Sequence, residues 1–135
     1  MNDKEYEKQK KRVEKLFKKW RDPLGLGWWR ITISYSREHA KGDTRYAPPD
    51  VNGIYDCVFD ITCDYYYKIA TIEAYLPVIK DIKDENLERY FIHEMMHIIL
   101  KPMQHKEKAP DEELVATSLA DAFLWVVEGV KEKKL

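Results

Sequence analysis

One short stretch, residues 91–100, constrains this chain more than any other, because it combines an apolar helical pattern with two histidines and a glutamate. It contains His93-Glu94-Met95-Met96-His97. Positions four apart lie on one face of an α-helix, so His93 and His97 can present two imidazole nitrogens to one metal ion. Glu94, about 100° round the helix, can reach a water beside that ion. Neutral imidazoles suit Zn²⁺, and a catalytic zinc keeps three protein ligands and an open position for water.

The sequence predicts that this motif lies on a helix over residues 84–101. Asp84 is suited to the N-cap, and Pro102 ends the helix near Lys101. The helix has one apolar stripe, formed by Leu87, Phe91, Met95 and Ile98. The stripe indicates a helix packed into the fold. Two partly buried histidines with a glutamate between them would be costly to satisfy without a metal, which favours a metal site.

A second helix, expected over residues 111–130 with Asp111 as its cap, offers a third ligand. Its apolar face includes Val115, Ala116, Leu119, Ala120, Phe123, Val126 and Val127. Glu113 stands at the head of the inward line 113, 116, 120, 123 and 127. A carboxylate there needs a partner, and a metal held by the preceding helix is such a partner. Glu112 and His105 are the alternatives for the third ligand.

The sequence of residues 28–76 predicts a small sheet. Alternating apolar and polar residues indicate strands at residues 28–35, 54–64 and 68–76. The expected fold class is α+β, with an antiparallel or mixed sheet of about three to four strands. Cys57 and Cys63, on the second strand, match no zinc-ribbon or redox spacing, and we expect both to be free thiols.

The composition predicts one globular domain over residues 1–135. The chain is 44% hydrophobic and 35% charged, with a formal net charge of -1, which gives no bulk attraction to a membrane or to nucleic acid. No apolar run approaches the roughly 20 residues that span a bilayer. Residues 1–5 open with mixed charges and no apolar signal region, so a cytoplasmic location is the default expectation.

The near-neutral charge hides a basic helix over residues 1–22. Its apolar stripe consists of Val13, Leu16, Phe17 and Trp20. Its other faces carry nine lysines and arginines between residues 4 and 21. We interpret these charges as a solvated face. A nucleic-acid interface over residues 4–21 is the less favoured interpretation, because no aromatic or Gly-rich recognition element accompanies the charges.

His93-Glu94-Met95-Met96-His97, followed by Glu113-Leu114-Val115-Ala116-Thr117, resembles the gluzincin class of zinc metallopeptidases, in particular its compact single-domain members from bacteria, archaea and phages. The order of elements resembles the minimal zincin core over roughly residues 28–130. The resemblance implies that His93, His97 and Glu113 bind zinc and that Glu94 is the general base. It also implies that the strand carrying Ala70, Ile72 and Ala74 is the edge to which an extended peptide adds.

The sequence therefore predicts a zinc metalloendopeptidase that hydrolyses peptide bonds in a peptide or protein substrate, with zinc as its cofactor. The sequence lacks two residues that are typical of the metzincins. The Gly and third His of the metzincin pattern are absent, because residues 98–103 are Ile-Ile-Leu-Lys-Pro-Met. The alternative is a catalytically silent zinc-binding domain that serves partner or nucleic-acid interaction.

Overall fold

The computed structural model describes residues 1–40, 57–101 and 112–133, and in the last helix it describes the side chains of residues 114–127. Within these residues the chain is α+β, as the sequence predicts. Its elements in order are α1 (Asp3–Trp20), β1 (Arg30–Ser36), β2 (Phe59–Asp64), β3 (Ile69–Tyr75), α2 (Leu76–Ile79), α3 (Asp84–Leu100) and α4 (Glu112–Lys133). The short α2 has no counterpart in the sequence prediction.

The three described strands form one mixed sheet in the order β1-β3-β2. β2 and β3 are an antiparallel hairpin with Phe59 opposite Ala74, whereas β1 runs parallel to β3 with Arg30 opposite Ile69. The hairpin turn begins where Asp64 Oδ1 accepts the backbone N–H of Tyr66 at 3.0 Å. The hydrophobic alternation is as predicted, because Phe59, Ile61 and Cys63 face inward and the residues between them are exposed.

The sequence prediction of the sheet edge is wrong. β3, which carries Ala70, Ile72 and Ala74, is paired with a strand on each side. All three side chains are also buried. Backbone groups that are already hydrogen-bonded to β1 and β2 cannot pair with an added peptide. Leu76, predicted as the end of this strand, instead begins α2.

The core lies between the sheet and the helices α1 and α3. Every member of the predicted stripe on α3 is fully buried, as are Val13 and Trp20 of α1. Phe59 of β2 meets Phe91 of α3 edge to face, with ring centroids 5.7 Å apart and an angle of 75° between the rings. This contact positions the start of β2 against the middle of α3, which is where the histidine motif lies.

The N-cap predicted for α3 is displaced by one residue. Lys83 occupies the N-cap position without a side-chain bond, and Asp84 is the first helical residue. The Asp84 carboxylate instead accepts the guanidinium of Arg12, at 2.9 Å from Nε. A local capping preference is here outweighed by an ion pair between residues 72 positions apart.

Helix α4 packs on α3 through small side chains. Ala116 and Ala120 are fully buried, and Arg89 of α3 pairs with Asp121 of α4 at 3.0 Å. The predicted apolar face was too wide, because Val115 and Val126 are 40% and 53% exposed. The predicted Asp111 cap lies outside the described residues. Among the described helices, none is both long enough and apolar enough to cross a bilayer.

Candidate metal centre

The structure brings His93 and His97 together on one face of α3. Their Nε2 atoms are 3.1 Å apart and their rings are inclined by 73°. Two nitrogens bound to one tetrahedral zinc at about 2.0–2.1 Å are about 3.3–3.4 Å apart. The pair is therefore within a few tenths of an ångström of the separation that a shared zinc ion requires. The neighbours Ile92, Met95 and Met96 are fully buried, and their packing holds this face of the helix in place.

Thr117 of α4 contacts the other nitrogen of His93. Its Oγ1 is 3.1 Å from His93 Nδ1. When Nδ1 carries the proton and donates it to this oxygen, Nε2 keeps its lone pair free for a metal. Thr117 belongs to the sequence motif that begins at Glu113, but the sequence alone assigned it no role. The signal that could have identified it is its spacing, because Thr117 lies four residues, and so one helical turn, after Glu113.

Glu94 completes a group of three potential ligands. One ligand atom from each of His93, Glu94 and His97 lies within 4.8 Å of the others, and all three residues are half-buried. A carboxylate at this distance from the two imidazoles can hold a water beside a shared ion. The two histidines and the carboxylate of Glu94 are thus close together, as the helix spacing predicts.

The side chains of the three candidates for the third ligand lie outside the part of the chain that the structure describes. His105 lies outside the described residues, and so do the side chains of Glu112 and Glu113. The described part of α4 shows which way the line through positions 116 and 120 faces, and position 113 belongs to that line. Ala116 and Ala120 on that line are fully buried, and Thr117 contacts His93.

A cleft of about 320 Å³ adjoins the group. Its lining comes from β2, α3 and α4, and includes Cys57, Val58, Phe59, Arg89, Tyr90, His93, Glu94, Thr117 and Ala120. The cleft beside the candidate metal centre is thus lined in part by Phe59 of β2 and the two residues before it, which the sequence did not assign to the site. A recess bordered by the His93 imidazole and the Glu94 carboxylate has the room and the chemistry for a polar substrate group.

Cys63 forms no disulfide bond, and neither does Cys57, which lies at the edge of this cleft. The Cys57 Sγ donates to the Phe59 carbonyl at 2.9 Å. Burial, followed by the negative charges of Asp60, Glu94 and Glu73, raises the pKa of Cys57 to about 12. The thiol is therefore protonated at neutral pH, which does not suit a nucleophile.

In comparisons with known protein families, curated proteins and solved structures, the chain matches none. The case for its function therefore rests on the chemistry and geometry of this centre.

Proposed function

We propose that this protein is a zinc-dependent metallopeptidase of the zincin type, with its zinc held by His93, His97 and a third ligand. The observation that carries the proposal is the 3.1 Å separation of the two Nε2 atoms, together with Glu94 beside them. Neutral imidazoles with a carboxylate are donors that suit Zn²⁺. The contact between His93 Nδ1 and Thr117 Oγ1, with Nδ1 as the donor, is the kind of outer contact that zinc-binding histidines make.

Glu113 is the third ligand that the proposal favours. Position 113 lies one helical turn before Thr117, so both project from the same face of α4. Thr117 contacts His93, which supports position 113, one helical turn earlier, as the source of the third ligand. Glu112 is turned by about 100° from this line, which is why it remains the second choice on α4. His105 remains the alternative from the segment between the helices.

The chemistry of peptide hydrolysis needs a base, a site for water and an exit for the amine. When bound, zinc lowers the pKa of its water towards 7 and polarises the scissile carbonyl. The Glu94 carboxylate accepts the proton of the attacking water and returns it to the leaving amine. His93 and His97 would hold the metal through their Nε2 atoms, and Thr117 keeps the His93 ring oriented.

β2 offers the backbone groups for an extended substrate. In the described part of the chain it is an edge strand, paired with β3 alone. Its first residue, Phe59, and the two residues before it line the cleft beside His93 and Glu94. A peptide pairing with the free side of β2 would therefore pass the candidate centre, with its carbonyl and amide groups satisfied by the strand.

The experiment compares metal content and peptide hydrolysis in matched variants. We expect wild type to bind one zinc per chain and to cleave members of a fluorogenic peptide library. Glu94→Gln keeps the metal but loses at least about 100-fold in rate, because it removes the base and retains the ligands. His93→Ala loses the metal as measured by elemental analysis. Glu85→Gln, an exposed glutamate in the first turn of the same helix, is the control and keeps both.

Peptide cleavage by Glu94→Gln at the wild-type rate would exclude Glu94 as the base. Zinc binding in wild type without turnover of any library member would favour the alternative, a catalytically silent zinc-binding domain. Wild-type zinc content in His93→Ala would place the metal elsewhere.

A further inference from the structure

The exposed face of α1 carries a row of lysines that the fold does not use. The row consists of Lys4, Lys8, Lys11, Lys15 and Lys18, all with exposed side chains. At 100° and 1.5 Å per residue these five lie within an arc of about 80° and extend over about 21 Å. We call them the lysine row. In the part of the chain that the structure describes, none of the five takes part in an ion pair.

The other basic side chains of this region are bound within the fold. Arg12 donates to the backbone carbonyls of Ile79 and Ile82 at 2.9 and 2.6 Å. Lys19 pairs with Glu88 at 2.7 Å. The structure thus separates cations that stabilise the fold from the lysine row. Two glutamates, Glu7 and Glu14, border one side of the row, and Glu14 is directed at Lys10.

Three exposed aromatic side chains lie beyond the C-terminal end of α1. Trp28, Tyr66 and Tyr67 are 89%, 79% and 76% exposed. Arg21, just after α1, donates to the carbonyls of the two residues that flank Trp28. The Arg30 N–H donates to the Lys68 carbonyl at 2.8 Å, which brings the tyrosine turn beside the same end. We call these three side chains the aromatic end.

We propose that the lysine row and the aromatic end together bind single-stranded nucleic acid. Lysines along a track neutralise successive phosphates, and exposed aromatic rings stack with unpaired bases. The sequence alone argued against such an interface because no aromatic element accompanied the charges. The fold supplies that element, since it places residues from two distant segments at the end of the basic helix. This proposal does not depend on the proposed peptidase activity.

Two other polyanions fit the surface less well. The apolar face of α1 is turned into the core, with Val13 and Trp20 buried, so the helix has no apolar face left to enter a lipid surface. Duplex DNA keeps its bases stacked on one another, so it would leave the aromatic end without a partner. Single strands use both parts of the surface.

The test uses the full chain and a fluorescein-labelled oligothymidylate of about 16 nucleotides. We expect binding by fluorescence anisotropy that weakens with salt between about 50 and 200 mM, with a log–log slope near −3.5 for five phosphate contacts. Lys11→Gln combined with Lys15→Gln lowers the magnitude of that slope by about 1.4. The control, Arg89→Gln with Lys101→Gln, changes net charge equally at one residue of α3 and at its C-cap and keeps the wild-type slope.

The aromatic end is tested separately with Trp28→Ala. We expect about tenfold weaker binding of the oligonucleotide, since one stacked base is lost. Trp125→Ala removes another exposed tryptophan, 74% exposed on α4, and is expected to bind as wild type.

No oligonucleotide binding at about 50 mM salt would overturn the proposal. A second result would also overturn it. If duplex DNA, polyglutamate or anionic phosphatidylserine vesicles bind as tightly as the single strand, and Trp28→Ala has no effect on binding, the surface is a general polyanion site. Circular dichroism melting of each variant separates loss of binding from loss of fold. Zinc content and peptide hydrolysis remain those of wild type in the Lys11/Lys15 variant.

Discussion

At the scale of single residues, one contact between helices sets the orientation of the His93 ring in the candidate metal centre. Helix periodicity brings His93 and His97 to one face, but it does not select which ring nitrogen of each is available. Thr117, across the α3–α4 interface, contacts Nδ1 of His93 and so leaves Nε2 to point at His97. In the proposed zinc centre, a hydroxyl that accepts the Nδ1–H orients the ring and leaves Nε2 to bind the ion.

We therefore expect Thr117→Val to weaken zinc binding by about tenfold, because the shape of the side chain is kept and the hydroxyl is lost. Competition with a chromophoric chelator measures the affinity. Thr117→Ser retains the hydroxyl and should bind zinc nearly as wild type, which a purely steric role would not predict. The metal-free melting temperatures should agree, since Thr117 is exposed. Equal zinc affinity in the valine and serine variants would remove Thr117 from the site.

At the scale of elements, one arginine joins three helices. The Arg12 guanidinium on α1 bonds to the carbonyl of Ile79 in α2, to the carbonyl of Ile82 and to the carboxylate of Asp84 in α3. It also bonds to Gln9 on its own helix. These contacts fix the start of α3 relative to α1 and so help to place the histidine motif against β2.

Arg12→Lys is expected to lower the free energy of unfolding by about 2 kcal/mol, because a compact ammonium group cannot reproduce the planar fork that bonds to the Ile79 and Ile82 carbonyls and to Asp84 at once. Urea denaturation followed by circular dichroism measures the change. Lys11→Gln, one residue earlier on the exposed face, is the matched control and should change stability by less than about 0.5 kcal/mol. A midpoint for Arg12→Lys equal to that of wild type would show that these bonds contribute no net stability.

At the scale of the whole molecule, stability should depend on alkaline pH. Burial, assisted by nearby carboxylates, raises the pKa values of Tyr35, Cys57 and Tyr75 to about 12 each. An unfolded tyrosine loses its proton near 10, whereas folded Tyr35 keeps it until about 12. This contribution to stability is fully present below pH 10 and is lost as the pH rises to 12.

The expected result is a melting temperature that falls from pH 10 to pH 12, with a smaller fall in Tyr35→Phe, which has no proton to lose there. Differential scanning calorimetry across this range provides the measurement. Tyr67→Phe, which removes an exposed hydroxyl, serves as the control and should follow wild type. An identical fall in wild type and Tyr35→Phe would show that another group controls alkaline unfolding.

The sequence by itself determined the local features. Apolar periodicity predicted α1 and α3 to within a residue or two, and alternation predicted which side of each strand faces the core. The spacing of four placed His93 and His97 on one face, because that relation depends only on helix geometry. These features follow from neighbours in sequence.

Tertiary structure decided what depends on distant neighbours. Alternation tells which side of a strand is buried but not which strands lie beside it, so the strand order made β2 the edge where β3 was expected. Long-range contacts likewise pair Asp84 with Arg12, where the sequence predicted an N-cap, and place Thr117 beside His93. They also left the lysine row without ion pairs among the described residues, beside the aromatic end. The physical reason is the same in each case: these are contacts between distant segments, which sequence periodicity does not encode.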